Sequence, residues 1–237
     1  MITNPVAKTI LCFGDSNTNG VPSDDEDYVR LAADVRWTGR LQRLLGDGYD
    51  VIEEGLSGRT TDIDYGDRPG CNGRVYLVPC LQTHQPLDVV VLMLGTNDLK
   101  IQFDRTPADI AMALSGYIDD IEFLATTRAG RVPRIILVSP IHLDDSRPAF
   151  AEMTEGNFDP VAVDKSRSLS RELHRLAGAR RAMFADAATV ARAGGDGVHL
   201  SLESHESIAK LIAMKVTDAL PHDGSSRRSA SVRQRST

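Results

Sequence analysis

Five short apolar runs punctuate this chain and restrict the folds open to it more than any other feature. They are Thr9–Phe13, Val51–Glu54, Asp88–Leu94, Arg134–Ser139 and Ala182–Asp186. Short apolar runs bounded by Gly, Pro or polar corners read as buried strands. Helical spacing fills the intervals: Trp37–Leu45 (Leu41, Leu44 and Leu45 on one side), Val75–His84, Thr106 to Ala125, Val161–Ala177 and Leu202–Leu220. Gly46 and Gly48 stop the first helix, Pro86 ends the second, and Thr106-Pro107-Ala108-Asp109 opens the third with a cap, a Pro and an acid three residues on. The last starts at a Ser201 cap and turns Ile208, Leu211, Ile212, Val216 and Ala219 inward. Strands alternating with helices predict an α/β fold: a three-layer α/β/α sandwich around a five-stranded parallel sheet.

In such a sheet the strand C-termini share one edge, where ligands bind. Four polar corners collect there. Gly14-Asp15-Ser16 follows the first strand, Gly55–Thr61 the second, Gly95-Thr96-Asn97-Asp98 the third, and Gly195-Asp196-Gly197-Val198-His199 comes after the fifth. Asp196 and His199 are three apart, so on one turn the carboxylate can reach the imidazole and leave the other ring nitrogen free. A serine hydroxyl becomes a nucleophile when such a base takes its proton. Ser16, His199 and Asp196 therefore form a candidate triad, provided the two ends of the chain meet. Attack on an ester also needs preplaced donors for the oxyanion; a glycine of the Gly55–Thr61 corner can supply a backbone N–H, and Asn97 a side-chain amide. Two plainer readings remain at this point. The first corner is also an ordinary strand–turn with a capping Ser or Asp. The Gly14–Gly20 loop also suits a non-catalytic nucleotide or phosphate binder, although the chain lacks the lysine-bearing and glycine-rich phosphate-loop signatures there.

Composition narrows the classes further. The 237 residues suit one medium domain, with 41% apolar and 25% charged residues. The net charge is −6, which gives nucleic acid no overall attraction. Residues 221–237 hold four Arg against one Asp, a net of +3, so the body carries −9. That tail is rich in Ser and Arg and is expected to be disordered, leaving 1–220 as the catalytic domain. Cys12, Cys71 and Cys80 show neither disulfide-framework nor zinc-site spacing, and Cys12 fits a strand core. No secretory leader pattern and no membrane-length apolar run is evident. The expectation is a cytoplasmic protein with no membrane partner.

Taken in order, the four corners resemble the blocks of the GDSL/SGNH hydrolases: Gly14-Asp15-Ser16 with Thr18, then Gly58, then Gly95-Thr96-Asn97-Asp98, then Asp196-Gly197-Val198-His199. The likeness runs over residues 9–220. Asp34-Val35-Arg36-Trp37-Thr38-Gly39, Glu53-Glu54-Gly55-Leu56-Ser57 and Arg59-Thr60-Thr61 are similar to the bacterial arylesterase/acyltransferase branch. The resemblance implies a flavodoxin-like arrangement and cleavage of small acyl esters, with acyl transfer to alcohols or peroxide in some members. It implies Ser16 as nucleophile, His199 as base, Asp196 as its orienter, and Ser16 N–H, Gly58 N–H and the Asn97 amide as the oxyanion hole. No cofactor is implied. A deacetylase, thioesterase or lysophospholipase would use the same triad, and the low aromatic content (5%) weighs against a sugar substrate.

Further contacts are expected around this centre. Asn17, Asn19 and Val21 stand where that branch carries Leu and aromatics, implying a less apolar pocket mouth. Arg59 is a candidate substrate contact, with a pairing to Asp62 or Asp64 as the commoner alternative. His142, at the end of the fourth strand, is a further candidate. Asp98 reads as a turn cap, the acidic run Asp24–Asp27 as a solvated loop, His84 and His174 as surface residues, and His205 as a partly buried structural histidine. The segment Leu143–Asp159, with Phe150, Met153 and Phe158, suits either a pocket wall or a homo-oligomer contact.

Overall fold

Alternation within the strands dictates two cores. In β1 (Lys8–Gly14), Ile10 and Cys12 face one layer while Leu11 and Phe13 face the other, as period-2 side chains must. β2 (Tyr49–Gly55), β3 (Val89–Met93), β4 (Arg134–Ser139) and β5 (Met183–Asp186) complete a five-stranded sheet of order β2-β1-β3-β4-β5. Every pairing is parallel. The chain is described by a computed structural model for residues 4–24 and 29–220. Most of the acidic run, Asp25–Asp27, and the tail from Pro221 lie outside the described residues.

The helices divide between the two faces. α2 (Trp37–Leu45) and α7 (Leu202–Ala219) pack on Ile10, Cys12, Val89, Val91 and Ile136. α3 (Gly73–His84), α4 (Pro107–Leu124) and α6 (Pro160–Arg180) cover Leu11, Phe13, Val90, Leu92 and Leu137. Two single turns complete the helices, α1 (Ser16–Asn19) and α5 (Phe150–Met153). All five residues of β3 are buried, which suits the middle strand of a sheet covered on both faces. A fully buried Val or Leu there stabilises the fold by about 1.5–3 kcal/mol. No helix of the described residues is long and apolar enough to cross a membrane.

Local chemistry explains the helix ends. Thr106 accepts from Asp109 N–H, and the Asp109 carboxylate accepts from Thr106 N–H, a reciprocal capping box with Pro107 behind it. Ser201 caps α7 through Ser204 N–H. α3 begins two residues earlier than its apolar pattern indicates, because the Asn72 side chain accepts from Arg74 and Val75 N–H. On α2, Leu41 is buried but Leu44 is 51% exposed. The inward position belongs instead to Trp37, which is 1% exposed. His205 is completely buried, and its Nδ1 accepts the Trp37 N–H at 3.2 Å.

The strand order reverses between β1 and its neighbours: β2 lies on one side and β3 on the other. That reversal opens a crevice at the strand C-termini, and the first corner leads directly into it.

Candidate active site

Ser16 opens α1 immediately after β1. The Asp15 carboxylate caps this turn by accepting the Asn17 N–H at 2.9 Å. Burial pushes the Asp15 carboxyl up to about 6, against the opposing effects of that bond and of His199 and Arg59. Ser16 is 4% exposed, and its hydroxyl lies 2.9 Å from His199 Nε2. The two residues are 183 positions apart in sequence. His199 Nδ1 faces the Asp196 carboxylate in a short hydrogen bond. The other Asp196 oxygen accepts the N–H groups of Val198 and His199 at 2.9 and 2.8 Å. Burial by itself would raise the Asp196 carboxyl, but the His199 ring and these two N–H groups outweigh it and hold the carboxyl below its ordinary range. The Asp196 side chain is 3% exposed and that of His199 is 16% exposed. Thus the acid is enclosed while the base reaches the cleft.

The turn carrying this pair is held from outside. Asp24 Oδ1 accepts Gly195 N–H at 2.8 Å, and Ser23 O accepts Asp196 N–H at 3.0 Å. A Cβ on Gly194 would lie 1.8 Å from Ser23 Oγ, and one on Gly195 2.1 Å from Asp24 Oδ1, so the pair of glycines lets this loop approach. The start of the acidic run therefore supports the histidine turn and is not simply solvated.

Gly58 and Asn97 face the same cleft. Gly58 adopts φ +83, a left-handed conformation that a residue with Cβ rarely takes. Among the described residues, the Ser16 and Gly58 N–H groups meet no other acceptor. Asn97 Nδ2 donates to Arg59 O at 3.1 Å. That bond fixes the amide and leaves its second hydrogen for the cleft. A hydroxyl, an imidazole, two backbone donors and an amide thus converge on a space of about 140 Å³, smaller than drug-sized ligand pockets of roughly 300–1,000 Å³. This arrangement can deprotonate a hydroxyl and hold a developing oxyanion.

Several expected contacts turn out to serve the fold. Asn17 is 3% exposed; its Oδ1 accepts Leu200 N–H at 2.9 Å and its Nδ2 donates to Val198 O. It clamps both sides of His199 and does not face substrate space. Asn19 Nδ2 donates to Gly55 O at 3.1 Å, and Val21 is buried. These three residues do not form the pocket mouth. Arg59 is 2% exposed. It donates to Gly14 O at 2.9 Å and to Glu54 O, and its guanidinium lies 4.1 Å from the Phe13 ring centroid. It therefore contacts neither substrate space nor the acids Asp62 and Asp64, which pair with Arg105 and Asn72. His142 does not line the cleft. Asp98 is wholly buried and accepts from Thr61 and Arg105, so it joins the second and third corners and does more than cap a turn. His84 is half-buried, with Nε2 2.8 Å from Glu54 Oε1. Glu54, Cys80 and His84 bring possible metal-ligand atoms within 4.8 Å of one another, a grouping that cysteine spacing does not reveal. Glu54 and His84 already pair with each other and Tyr76 donates to the second Glu54 oxygen, while burial pushes the Cys80 thiol up to about 12.

The cleft has further walls, most of which the sequence does not single out. Ser57, Arg68, Lys100 and Val198 line it, as do Thr154, Asn157 and Phe158. The last three come from the 143–159 segment, which is a pocket wall. Arg68 and Lys100 carry no recognisable motif; only their closeness to Gly58 and Asn97 in the chain hints at them.

Known proteins resemble this chain over most of its length. Residues 12–206 match the model of the GDSL-like lipase/acylhydrolase family. The native aryl esterase of M. smegmatis superposes with a TM-score of 0.81 at 40% identity, covering 90% of this chain and all of the other. Est24, a carbohydrate acetylesterase from Sinorhizobium meliloti, gives 0.82 at 36% identity with the same coverage. An acetylxylan esterase from Xylanibacter ruminicola is 27% identical over 224 residues, which span 87% of this chain and 42% of that longer protein. The match along the chain, the sheet order and the converging side chains lead to one assignment: this protein belongs to the GDSL-like lipase/acylhydrolase family of carboxylic ester hydrolases, in the SGNH fold.

Proposed function

We propose that the chain is a serine esterase for short acyl esters, acting through an acyl-enzyme. The observation that carries this reading is the 2.9 Å approach of Ser16 Oγ to His199 Nε2, with Nδ1 held by Asp196. His199 takes the hydroxyl proton as Ser16 Oγ attacks the ester carbonyl. The oxyanion is held by the N–H groups of Ser16 and Gly58 and by the Asn97 amide; one such donor is worth about 2.7–4 kcal/mol in the transition state. The tetrahedral species collapses, and His199 returns the proton to the departing alkoxide. Water, activated by the same imidazole, then releases the acid. An alcohol or hydrogen peroxide in place of water gives acyl transfer. The small volume of the cleft favours acetyl and other short acyl groups.

A second reading uses the same steps on an acetylated sugar. It is favoured by the carbohydrate acetylesterase and acetylxylan esterase among the relatives. Hydrolysis of p-nitrophenyl acetate by wild type and Ser16→Ala tests the mechanism, with a loss of at least about 10³-fold expected. A fluorophosphonate should add one adduct at Ser16. Activity that survives Ser16→Ala removes the serine as nucleophile. Parallel turnover of acetylated xylo-oligosaccharide separates the two substrate readings.

A further inference from the structure

Two cationic side chains border Ser16 with no ion-pair partner among the described residues. Arg68 and Lys100 both line the cleft that holds Ser16 and His199. Each comes from a segment that also supplies an oxyanion donor: Arg68 lies ten residues after Gly58, and Lys100 three after Asn97. Arg68 Nη2 donates to Ser57 O at 3.1 Å. Its guanidinium covers Gly58 so closely that a Cβ there would lie 2.5 Å from Nη1. Lys100 Nζ is 5.3 Å from the Tyr65 ring centroid and 6.0 Å from that of Phe158. Arg68 Cζ is 5.6 Å from the same Tyr65 ring. One buried aromatic, itself braced edge-on by Phe103 at 5.0 Å, therefore holds both cations.

The arrangement disfavours the charge of Lys100, which is half-buried, beside the exposed Arg68. Among the described residues, neither cation forms an ion pair with a carboxylate. Asp15 and Glu155 act on Lys100 only through space, while burial and then the charge of Arg68 push its ammonium down. Asp196, the carboxylate at the cleft, is engaged by the His199 ring. Two like charges at the mouth of a small, partly desolvated cleft attract an anion strongly, and a guanidinium fork matches a carboxylate.

We infer that Arg68 and Lys100 form an anion subsite that selects esters carrying a carboxylate near the scissile bond. This inference rests on the esterase reading and deepens it by naming the substrate class. The competing role is general: the same cations would then stabilise the oxyanion of every substrate alike.

The test compares kcat/KM for anionic esters with their neutral counterparts, each divided by its own alkaline hydrolysis rate. One arm puts the carboxylate on the leaving group, as 4-acetoxybenzoate against its methyl ester. The other puts it on the acyl group, as ethyl hydrogen succinate against diethyl succinate. Wild type is expected to favour the anion by about tenfold or more in at least one arm, and the favoured arm locates the subsite. Lys100→Glu should reverse that preference, Arg68→Gln should reduce it, and added salt should shrink it. A wild-type ratio at or below one in both arms overturns the inference, whatever the variants do. So does a ratio that neither variant alters, or an equal loss on charged and neutral esters. Failure of the esterase reading looks different: Ser16→Ala would then hydrolyse methyl 4-acetoxybenzoate as wild type does.

Discussion

Arg59 and Arg68 stand nine residues apart in one loop and do opposite things. Arg59 turns into the protein, donates to the carbonyls of Gly14 and Glu54 and stacks on Phe13. Arg68 turns to the cleft, makes one backbone contact and stacks on Tyr65. Burial and partners separate them, not residue type and not closeness to a motif. The first closes the corner between β1 and β2, one residue after Gly58. The second leaves its charge for whatever enters. The same division separates His205, sealed under Trp37, from His199, which reaches Ser16.

Substitutions on the two sides of this division should have different signatures. The largest effect is expected on the cleft side. Asp196→Asn gives His199 the wrong tautomer, and kcat should fall by about 10⁴-fold; steady-state assays that find less than a tenfold loss would detach Asp196 from the chemistry. Next is Arg59→Met. It strands two buried carbonyls, each worth about 1–3 kcal/mol when left unpaired, so urea unfolding should show a loss of about 3 kcal/mol. An unchanged midpoint would place Arg59 with Arg68 after all.

His205 offers a test through pH. Burial first, then the charges of Arg40 and Arg36, push its imidazolium down from 6.5 to about 4. The unfolded chain binds this proton more readily. The stability held by neutral His205 is therefore complete above pH 6.5 and is lost as pH falls through about 4. Relative to His205→Gln, wild type should lose about 3 kcal/mol between pH 7 and 4, measured by denaturant titration at each pH. A flat difference would mean that the ring is hydrated. Asn17→Ala removes the clamp on the Val198–Leu200 backbone and should cost about 1–2 kcal/mol, with kcat lowered because His199 is less well placed. The smallest effect on stability belongs to Arg68→Gln, within about 0.5 kcal/mol. A larger loss would make Arg68 a structural residue like its neighbour.

Much of this is legible in the sequence. The five apolar runs predict the five strands to within a residue or two, and the Thr106 box and Ser201 cap start α4 and α7 where they stand. The candidate trio Ser16, Asp196 and His199 is legible because each lies in a short corner whose residue types suit one chemistry. The residues misread share another property. Asn17 meets a backbone group 183 positions away and Asp98 one 37 away, and the Gly195 N–H that Asp24 accepts is 171 away. A side chain on a strand-end corner can turn toward the cleft or toward the next corner, and local pattern does not distinguish the two. The 143–159 segment, with little periodicity, gave no direction of its own; its role as a cleft wall through Thr154, Asn157 and Phe158 depends on where β4 and α6 place its ends.

The order of elements, the parallel sheet and the candidate trio Ser16, Asp196 and His199 follow from the amino acids alone, because strand alternation, helix caps and local spacing are properties of neighbours in the chain. Only tertiary structure decided which polar side chains face substrate and which brace the corners. Charge, hydrogen bonding and burial at a strand-end loop are set by partners that reach it from other parts of the chain, and the tightest of these join its opposite ends.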